Sequence, residues 1–212
     1  MARRESPENA AERRQQMLHA AAELIAAQGY GETRIADVAR RAKVSPGLVV
    51  YYFGSKDKLL VEALRYSDEL FYAAGESVIW QQPTLAARLE TLVQLTFGPD
   101  VGRELPGAWG LWLDLWAQAY RHPEVAQGRV ELDGRWRTLI AEVVKDGRRS
   151  KEIGKVDEKR FAATFAALLD GLAIQVALAD PEIDAAAATK IATDFAGNAL
   201  GLSINGRRPA RR

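Results

Sequence analysis

The chain has 212 residues and a formal net charge of +1, and its 48% hydrophobic and 27% charged residues are typical of a globular protein. It contains no cysteine, which excludes disulfide bonds and thiolate metal sites, and its two histidines lie far apart, so we expect no metal centre. The N-terminal residues do not resemble a signal peptide and no apolar run reaches the roughly 20 residues of a membrane span, so we expect a cytoplasmic protein.

The near-neutral charge conceals an asymmetry along the chain. Residues 1–65 carry a net charge of +3, residues 66–206 carry −6, and the last six residues, RRPARR, carry +4. A basic N-terminal part on an acidic body suggests that the first part meets a polyanion such as nucleic acid. The Arg/Pro-rich end at residues 207–212 is predicted to be a basic disordered tail.

Almost every segment places apolar residues three or four positions apart, which is the spacing of a helix with one buried face. Glycine, proline and capping residues separate these segments. The sequence therefore predicts an all-α fold of about nine helices, over residues 8–28, 34–42, 46–53, 56–80, 84–97, 107–121, 124–150, 157–179 and 183–203.

The first three helices form a recognisable arrangement. Gly29 and Gly31 are predicted to end the first helix, and Thr33 is predicted to cap the second. Ser45 is a suitable cap for the third helix, where Pro46 fits the first position. Two short helices joined by a tight turn after a longer helix form a helix-turn-helix, whose second short helix enters the major groove of DNA.

The third helix begins with small residues and ends with aromatic ones, in the stretch KVSPGLVVYYFGSKDKLL over residues 43–60. The small residues at its start allow close approach to DNA, and its free N–H groups suit a phosphate. Tyr51 and Tyr52 have hydroxyl groups that can donate to phosphate oxygens, whereas Phe53 and Leu59 are expected in the core. A plain helical hairpin with aromatic core residues remains an alternative for the tyrosines, although adjacent residues on a helix are not equally buried.

The stretch TRIADVARRAKVSPGLVVYYFGSKDKLL, residues 33–60, resembles the DNA-binding signature of TetR-family transcriptional regulators. The resemblance implies that Thr33, Lys56 and Tyr52 contact the DNA backbone and that the first residues of the third helix, together with Tyr51, lie nearest the bases. Together, the resemblance and the residues themselves give the full set of expected DNA-contacting residues: Thr33, Arg34, Lys43, Ser45, Pro46, Gly47, Leu48, Tyr51, Tyr52 and Lys56.

Two residues depart from the pattern of that family. Lys43 stands in the inter-helix turn where glycine is usual, and a positive φ there would cost on the order of 1 kcal/mol. Val50 stands where many members have a DNA-contacting tyrosine, so readout at that position is expected to be apolar, for example against a thymine methyl group.

The helix predicted over residues 157–179 is apolar nearly all round, which indicates burial on most sides. We expect one side to face the core and another to face a second copy of the chain, together with the following helix; in the resemblance these are the two dimerisation helices. The residues expected at the dimer interface are Phe161, Phe165, Leu168, Gly171, Leu172, Ile191 and Phe195.

The middle of the chain contains a tryptophan-rich stretch, AWGLWLDLWAQAYRHPEV. Its aromatic residues span about 80° of a helical wheel, which fits either core packing or the wall of a site for an apolar or cationic ligand. A carboxylate would balance a cation, and Asp170 is preferred to Asp114 because Asp114 points away from the aromatic stripe. The candidate ligand-binding residues are Trp109, Trp112, Leu113, Trp116, Tyr120 and Asp170.

The tryptophan stretch and AALLDGLAIQVAL resemble one TetR subgroup, the choline-sensing repressors of the glycine-betaine pathway. The expected function is a homodimeric, ligand-responsive repressor that binds a palindromic operator and is released by a small-molecule effector, without a cofactor. No catalytic set is recognisable, which argues against an enzyme; a helical interaction module without DNA binding is the other alternative. The predicted domains are residues 1–55 for DNA binding and 56–206 for ligand binding and dimerisation.

Overall fold

The computed structural model describes residues 7–98 and 108–204, and these residues form helices and turns with no β-strand. The all-α prediction is therefore confirmed, and the predicted helix bounds are met within a few residues. The predicted tail at 207–212 lies outside the described residues. The helices are α1 Pro7–Glu32, α2 Ile35–Arg41, α3 Pro46–Phe53, α4 Lys56–Gln81, α5 Leu85–Phe97, α6 Ala108–Ala119, α7 Pro123–Arg149, α8 Glu158–Ala177 and α9 Ala185–Leu200.

The chain divides into two compact units. The first comprises Met1–Leu70 with Gly102–Glu131, and the second comprises Phe71–Val101 with Leu132–Arg212. Helices α4 and α7 therefore each begin in the first unit and end in the second. This division by packing differs from the functional division expected between residues 55 and 56, which stays a prediction.

The first unit is built around α1, which packs against α2 and α6, while α2 packs against α3. The predicted inner face of α1 is buried, because Leu18, Ala21, Ala22 and Ile25 are at most 3% exposed. This packing gives the two short helices a rigid support. Apolar burial of this kind stabilises helices that are too short to be stable alone.

The corner between α1 and α2 differs from the prediction in one respect. Gly29 has a non-helical backbone (φ 84°, ψ 158°), but a further helical turn follows it, so α1 ends at Glu32. The N-cap of α2 is consequently Arg34, not Thr33, and the carboxylate of Asp37 accepts a hydrogen bond from the Arg34 backbone N–H at 3.2 Å. Thr33 is only 2% exposed, and its hydroxyl donates to the Gly29 carbonyl at 2.8 Å.

The second unit contains the two C-terminal helices, which pack against each other and against α5. Asp157 and Asp184 cap them, each through a side-chain oxygen that accepts from a backbone N–H three residues later. Three aromatic rings join the two helices: Phe195 lies 6.0 Å from Phe165 and 6.1 Å from Phe161, measured between ring centroids, and both pairs are stacked.

This cluster corrects part of the predicted dimer interface. Phe161, Phe165 and Leu172 are buried within the protomer, so they belong to its own core. The prediction failed because a helix that is apolar all round does not reveal which of its sides meets α5 and α9. Of the other predicted interface residues, Leu168 and Phe195 are half-buried, and Gly171 and Ile191 are exposed.

Helix α8 is also the one helix in the described part of the chain that is long and apolar enough to cross a membrane by length and composition. A core helix of a folded protein meets the same criteria. Among the described residues, 39% of the apolar window of α8 is buried, and the rest of the window is half-buried or exposed.

Candidate nucleic-acid interface

Helix α3 is delimited by the local signals that its sequence contains. The Ser45 hydroxyl oxygen accepts a hydrogen bond from the Leu48 backbone N–H at 3.2 Å, and Pro46 occupies the first helical position. Gly54 ends the helix with φ 74°, a conformation that other residues adopt at a cost. The predicted bounds of α3, including its cap, are confirmed.

The two sides of α3 differ sharply in exposure. Val49 and Phe53, four residues apart, are buried at 0% and 5% exposure, so they anchor the helix in the first unit. Phe53 and, on α4, Leu59 are thus core residues, as predicted. The outward side comprises Pro46, Gly47, Val50 and Tyr51, all exposed, with Leu48 and Tyr52 half-buried beside it.

The two adjacent tyrosines have different surroundings. Tyr51 is 82% exposed, whereas Tyr52 is half-buried and packs edge-on against Tyr51 with the ring centroids 5.5 Å apart. The exposed ring and hydroxyl of Tyr51 are therefore available to a partner, because an amphipathic tyrosine can pack its ring and donate its O–H at the same surface. The alternative in which both tyrosines are core residues of a plain hairpin does not fit Tyr51.

The turn between α2 and α3 is held in a left-handed conformation at Lys43, where φ is 57°. The N–H of Val44 reaches back to the Ala39 carbonyl at 2.9 Å, which closes the turn. A lysine at this φ costs on the order of 1 kcal/mol relative to glycine. Its side chain is exposed next to the start of α3, so the turn adds a cation to this surface.

Lys56 begins α4 and is held by the α1 corner. Its ammonium group lies 3.2 Å from the Gly31 carbonyl oxygen and 4.1 Å from the centre of the Tyr30 ring, a cation–π contact. Ser55 caps this helix by accepting from the Lys58 N–H at 3.2 Å. An ammonium group has three donors, so these contacts leave capacity for a phosphate oxygen.

The two predicted DNA-contacting residues at the start of α2, Thr33 and Arg34, differ in exposure. Arg34 is exposed, but the Thr33 side chain is buried and its hydroxyl is used inside the protein. The expected contact between Thr33 and DNA stays a prediction. Nearby, the hydrogen bond from the Arg34 backbone, followed by that from the Arg40 side chain, lowers the pKa of Asp37.

Behind α3 lies a cleft of about 590 Å³. Glu62 accepts from Arg14 at 2.7 Å and from Arg65 at 3.2 Å, and Arg65 also pairs with Glu131. These pairs link α1, α4 and the first turns of α7 within the first unit. Each pair is partly exposed, so each contributes little alone.

Helix α6 has two faces of different character. Leu111 and Leu115 are completely buried, and α6 packs against α1. A different side of α6 carries residues that are only half-buried, and the rings of two of them, Trp112 and Trp116, are 6.0 Å apart. We call this side the tryptophan face; its members are Trp109, Trp112, Leu113 and Trp116. The buried leucines are not among the predicted site residues, although the four-residue spacing of Leu111 and Leu115 signals a buried face.

Tyr120 and Asp170, the other two predicted ligand-binding residues, do not belong to the tryptophan face, and neither does Asp114. Tyr120 lies beyond the end of α6 and is 89% exposed, so it does not continue the tryptophan face. Asp170 is half-buried on α8, in the second unit. Asp114 serves the protein itself, because its carboxylate accepts the Tyr30 backbone N–H at 2.7 Å.

A short, capped helix that presents small and aromatic residues outward, next to a tight turn and two exposed or half-exposed lysines, defines a helix-turn-helix DNA-binding protein. Two family models agree. Residues 17–63 match the model described as bacterial regulatory proteins, tetR family, and residues 85–201 match the BetI-type transcriptional repressor, C-terminal. The chain belongs to the TetR family of transcriptional regulators, with a C-terminal part of the BetI type; these are regulators, not enzymes.

Individual relatives support the same family. The chain is 31% identical over 185 residues to the HTH-type transcriptional regulator BetI of Paraburkholderia phymatum, covering 86% of this chain and 90% of that protein. It is 32% identical over 194 residues to BetI of Burkholderia mallei, covering 91% and 95%.

Solved structures resemble the fold over about nine-tenths of the chain. A transcriptional regulator from Saccharomonospora viridis, crystallised in complex with choline, aligns with a TM-score of 0.77 at 28% identity over 90% of this chain and 98% of that one. A TetR-family regulator from Rhodococcus sp. aligns with a TM-score of 0.78 at 26% identity, covering 90% and 99%.

Proposed function

We propose that the protein is a homodimeric repressor that binds a palindromic operator and is released from it by a small quaternary ammonium compound. The observation that carries this proposal is the outward side of α3, where Tyr51 is 82% exposed and the helix start is built of small residues. Such a helix fits the major groove, and a two-fold dimer places two of them on inverted half-sites. A repressor of this kind acts in the cytoplasm, where the DNA is.

The dimer would form through the exposed side of α8 with part of α9. This side of α8 presents Ala163, Ala167 and Gly171, four residues apart, with Leu168 at its edge. On α9, Ile191 is 37% exposed, so it can add an apolar side chain to this contact. Small residues at four-residue spacing allow two helices to approach closely, so a second copy of the chain is the occupant we propose.

The effector would bind at the tryptophan face of α6. Half-buried tryptophans attract quaternary ammonium groups through cation–π contacts. The choline bound by the Saccharomonospora viridis regulator and the BetI-type C-terminal match support this class of ligand for the present chain. The role of Asp170 as a counter-charge stays a prediction, which Asp170→Asn tests through the midpoint shift that choline causes.

The proposal is tested by a gel shift with DNA from upstream of the protein's own gene, titrated with choline. We expect a retarded band at low salt, its loss at higher salt because phosphate contacts release counterions, and its release by choline. Spermidine and an apolar drug-like compound serve as comparison ligands. A band that no compound releases would contradict the effector proposal, and no band at low salt would contradict operator binding.

The tryptophan face is tested separately by thermal-shift measurements on Trp112→Ala and Trp116→Ala. If choline raises the unfolding midpoint of the wild-type protein but not of these variants, the face binds the ligand. Equal midpoint shifts in all three proteins would mean that the tryptophans only pack.

A further inference from the structure

Helices α6 and α1 approach each other closely at one point. A Cβ atom added to Gly110 would lie 3.1 Å from the Ala26 carbonyl oxygen, so the glycine permits a separation that alanine would disturb. One turn later on α6, the Asp114 carboxylate accepts the Tyr30 backbone N–H at 2.7 Å. A hydrogen bond to an ionised acceptor is among the stronger contacts available to a backbone group, so this bond holds α6 to α1 at Tyr30.

Tyr30 in turn holds the start of α4. Its hydroxyl donates to the carboxylate of Asp57, and its ring lies beneath the ammonium group of Lys56 at 4.1 Å. The Gly31 carbonyl is a second contact for that ammonium, at 3.2 Å. Asp114 holds Tyr30 by a hydrogen bond, and the position of Tyr30 therefore determines the position of the Lys56 ammonium group.

The backbone at this corner is not fixed by regular helix geometry. Gly29 interrupts α1 with φ 84°, and the Asp114 carboxylate would lie only 3.8 Å from a Cβ at that position. Where helical hydrogen bonding is interrupted, side-chain contacts decide the position of the following residue. Asp114 and Tyr30 supply such contacts.

Asp114 and the tryptophan face lie on opposite sides of α6. At about 100° per residue, the Gly110, Leu111 and Asp114 side is centred roughly 180° from the tryptophans. A rigid helix that is displaced by a ligand on one side moves its other side as well. We propose that Asp114 is a positioning residue that couples α6, through Tyr30, to the phosphate-contacting ammonium of Lys56.

This inference rests on the proposed contact between Lys56 and DNA, and a double-mutant cycle tests it without knowledge of the operator. The probe is an arbitrary-sequence DNA duplex of about 30 base pairs at low salt, because phosphate contacts do not depend on sequence. Binding is measured by fluorescence anisotropy for the wild type, Asp114→Ala, Lys56→Ala and the double variant. We expect roughly fivefold weaker binding for Asp114→Ala, and less than about a twofold further loss when it is added to Lys56→Ala.

Equal losses from Asp114→Ala in both backgrounds, or no loss in either, would overturn the proposal. If Lys56→Ala itself has no effect, the proposed Lys56 contact fails as well, whereas a loss for Lys56→Ala alone leaves that contact intact and rejects only the role of Asp114. Choline is absent from the cycle, so failure of the effector proposal does not affect its outcome.

Two further variants separate positioning from general stability. Asp114→Asn keeps an acceptor oxygen for the Tyr30 N–H and is expected to recover at least half of the lost affinity. Asp146→Ala removes a carboxylate that pairs with Arg88 in the second unit, and is expected to leave DNA binding unchanged. A loss for Asp146→Ala as large as that for Asp114→Ala would show a non-specific effect and contradict the proposal.

A second variant, Gly110→Ala, tests the same coupling and leaves the side chains of Asp114, Tyr30 and Lys56 unchanged. Gly110→Ala requires α6 to shift from α1 by a few tenths of an ångström. We expect it to weaken DNA binding in the wild-type background and to have no further effect with Lys56→Ala. Unchanged anisotropy titrations for a folded Gly110→Ala protein would contradict coupling through α6, whatever the behaviour of Asp114→Ala.

Discussion

Helices α3 and α8 are both strongly apolar, yet of the two only α3 presents an aromatic ring to solvent. Helix α3 buries Val49 and presents Tyr51 to solvent, whereas α8 buries Phe161 and Phe165 and presents small residues such as Gly171. A large exposed ring suits a surface that must reach into a groove, and a row of small residues suits a surface that must lie close to another helix. Under the proposed function, the side chains on the uncovered face differ between the helix that would enter DNA and the helix that would meet a second copy of the chain.

The largest expected effect is on the buried face of α8. Phe165→Ala removes a fully buried ring that stacks on Phe195, and we expect it to lower the free energy of unfolding by about 3–5 kcal/mol. Denaturant unfolding measures this, with the exposed Thr164→Ala as the control, for which we expect a change within about 0.5 kcal/mol. Similar costs for the two variants would place Phe165 outside the core.

The exposed face of the same helix gives the second test. A Cβ at Gly171 meets nothing within 4 Å, so Gly171→Arg should leave the protomer folded. Across a close helix–helix contact the arginine would clash, and we expect dimer dissociation to become easier by more than about 2 kcal/mol, roughly 30-fold. Analytical ultracentrifugation measures it. Gly154→Arg, which also adds a charge in open space, is the control, and a dimer unaffected by Gly171→Arg contradicts this interface.

On α3, Tyr52→Ala tests the half-buried tyrosine. Loss of one phosphate hydrogen bond worth about 1 kcal/mol in each protomer should weaken a dimer by about 2 kcal/mol, roughly 30-fold, on operator and unrelated DNA alike. Anisotropy titrations on both duplexes measure this. The control is Tyr52→Phe, which keeps the ring; if it binds like the wild type, the hydroxyl does not contact phosphate.

The smallest effect is expected at the turn before α3. Lys43→Gly relieves the positive φ of 57° and should raise the free energy of unfolding by about 0.5–1 kcal/mol. If the lysine also contacts a phosphate, the salt dependence of DNA binding should become shallower by about one counterion per protomer. A less stable Lys43→Gly protein would show that the side chain supports the turn.

The same two helices show how far sequence reasoning reaches. The bounds of α3 follow from residues that act locally, Ser45, Pro46 and Gly54, and all three behave as predicted. The orientation of α8 depends on Phe195, more than 20 positions further along the chain, so its own sequence could not reveal which phenylalanines are buried.

Individual site residues show the same limit. Thr33 matches the family signature, but α1 continues after Gly29 to Glu32, and the Thr33 side chain that follows is buried. The helical wheel predicts that Asp114 points away from the aromatic stripe, and its carboxylate does point to α1, where it accepts the Tyr30 backbone N–H. Its partner, the Tyr30 N–H, could not be predicted, because a backbone donor at a helix break has no sequence signal.

The central claim is that the outward side of α3, led by Tyr51, reads bases in each half of a symmetric site. Selection of DNA duplexes from a random pool with the wild-type protein and with Tyr51→Ala tests this claim most directly. We predict an inverted repeat with half-site centres about one or more helical turns apart, and a changed preference at one position per half-site for the variant. A selected motif without two-fold symmetry, or identical motifs for the two proteins, would contradict the account.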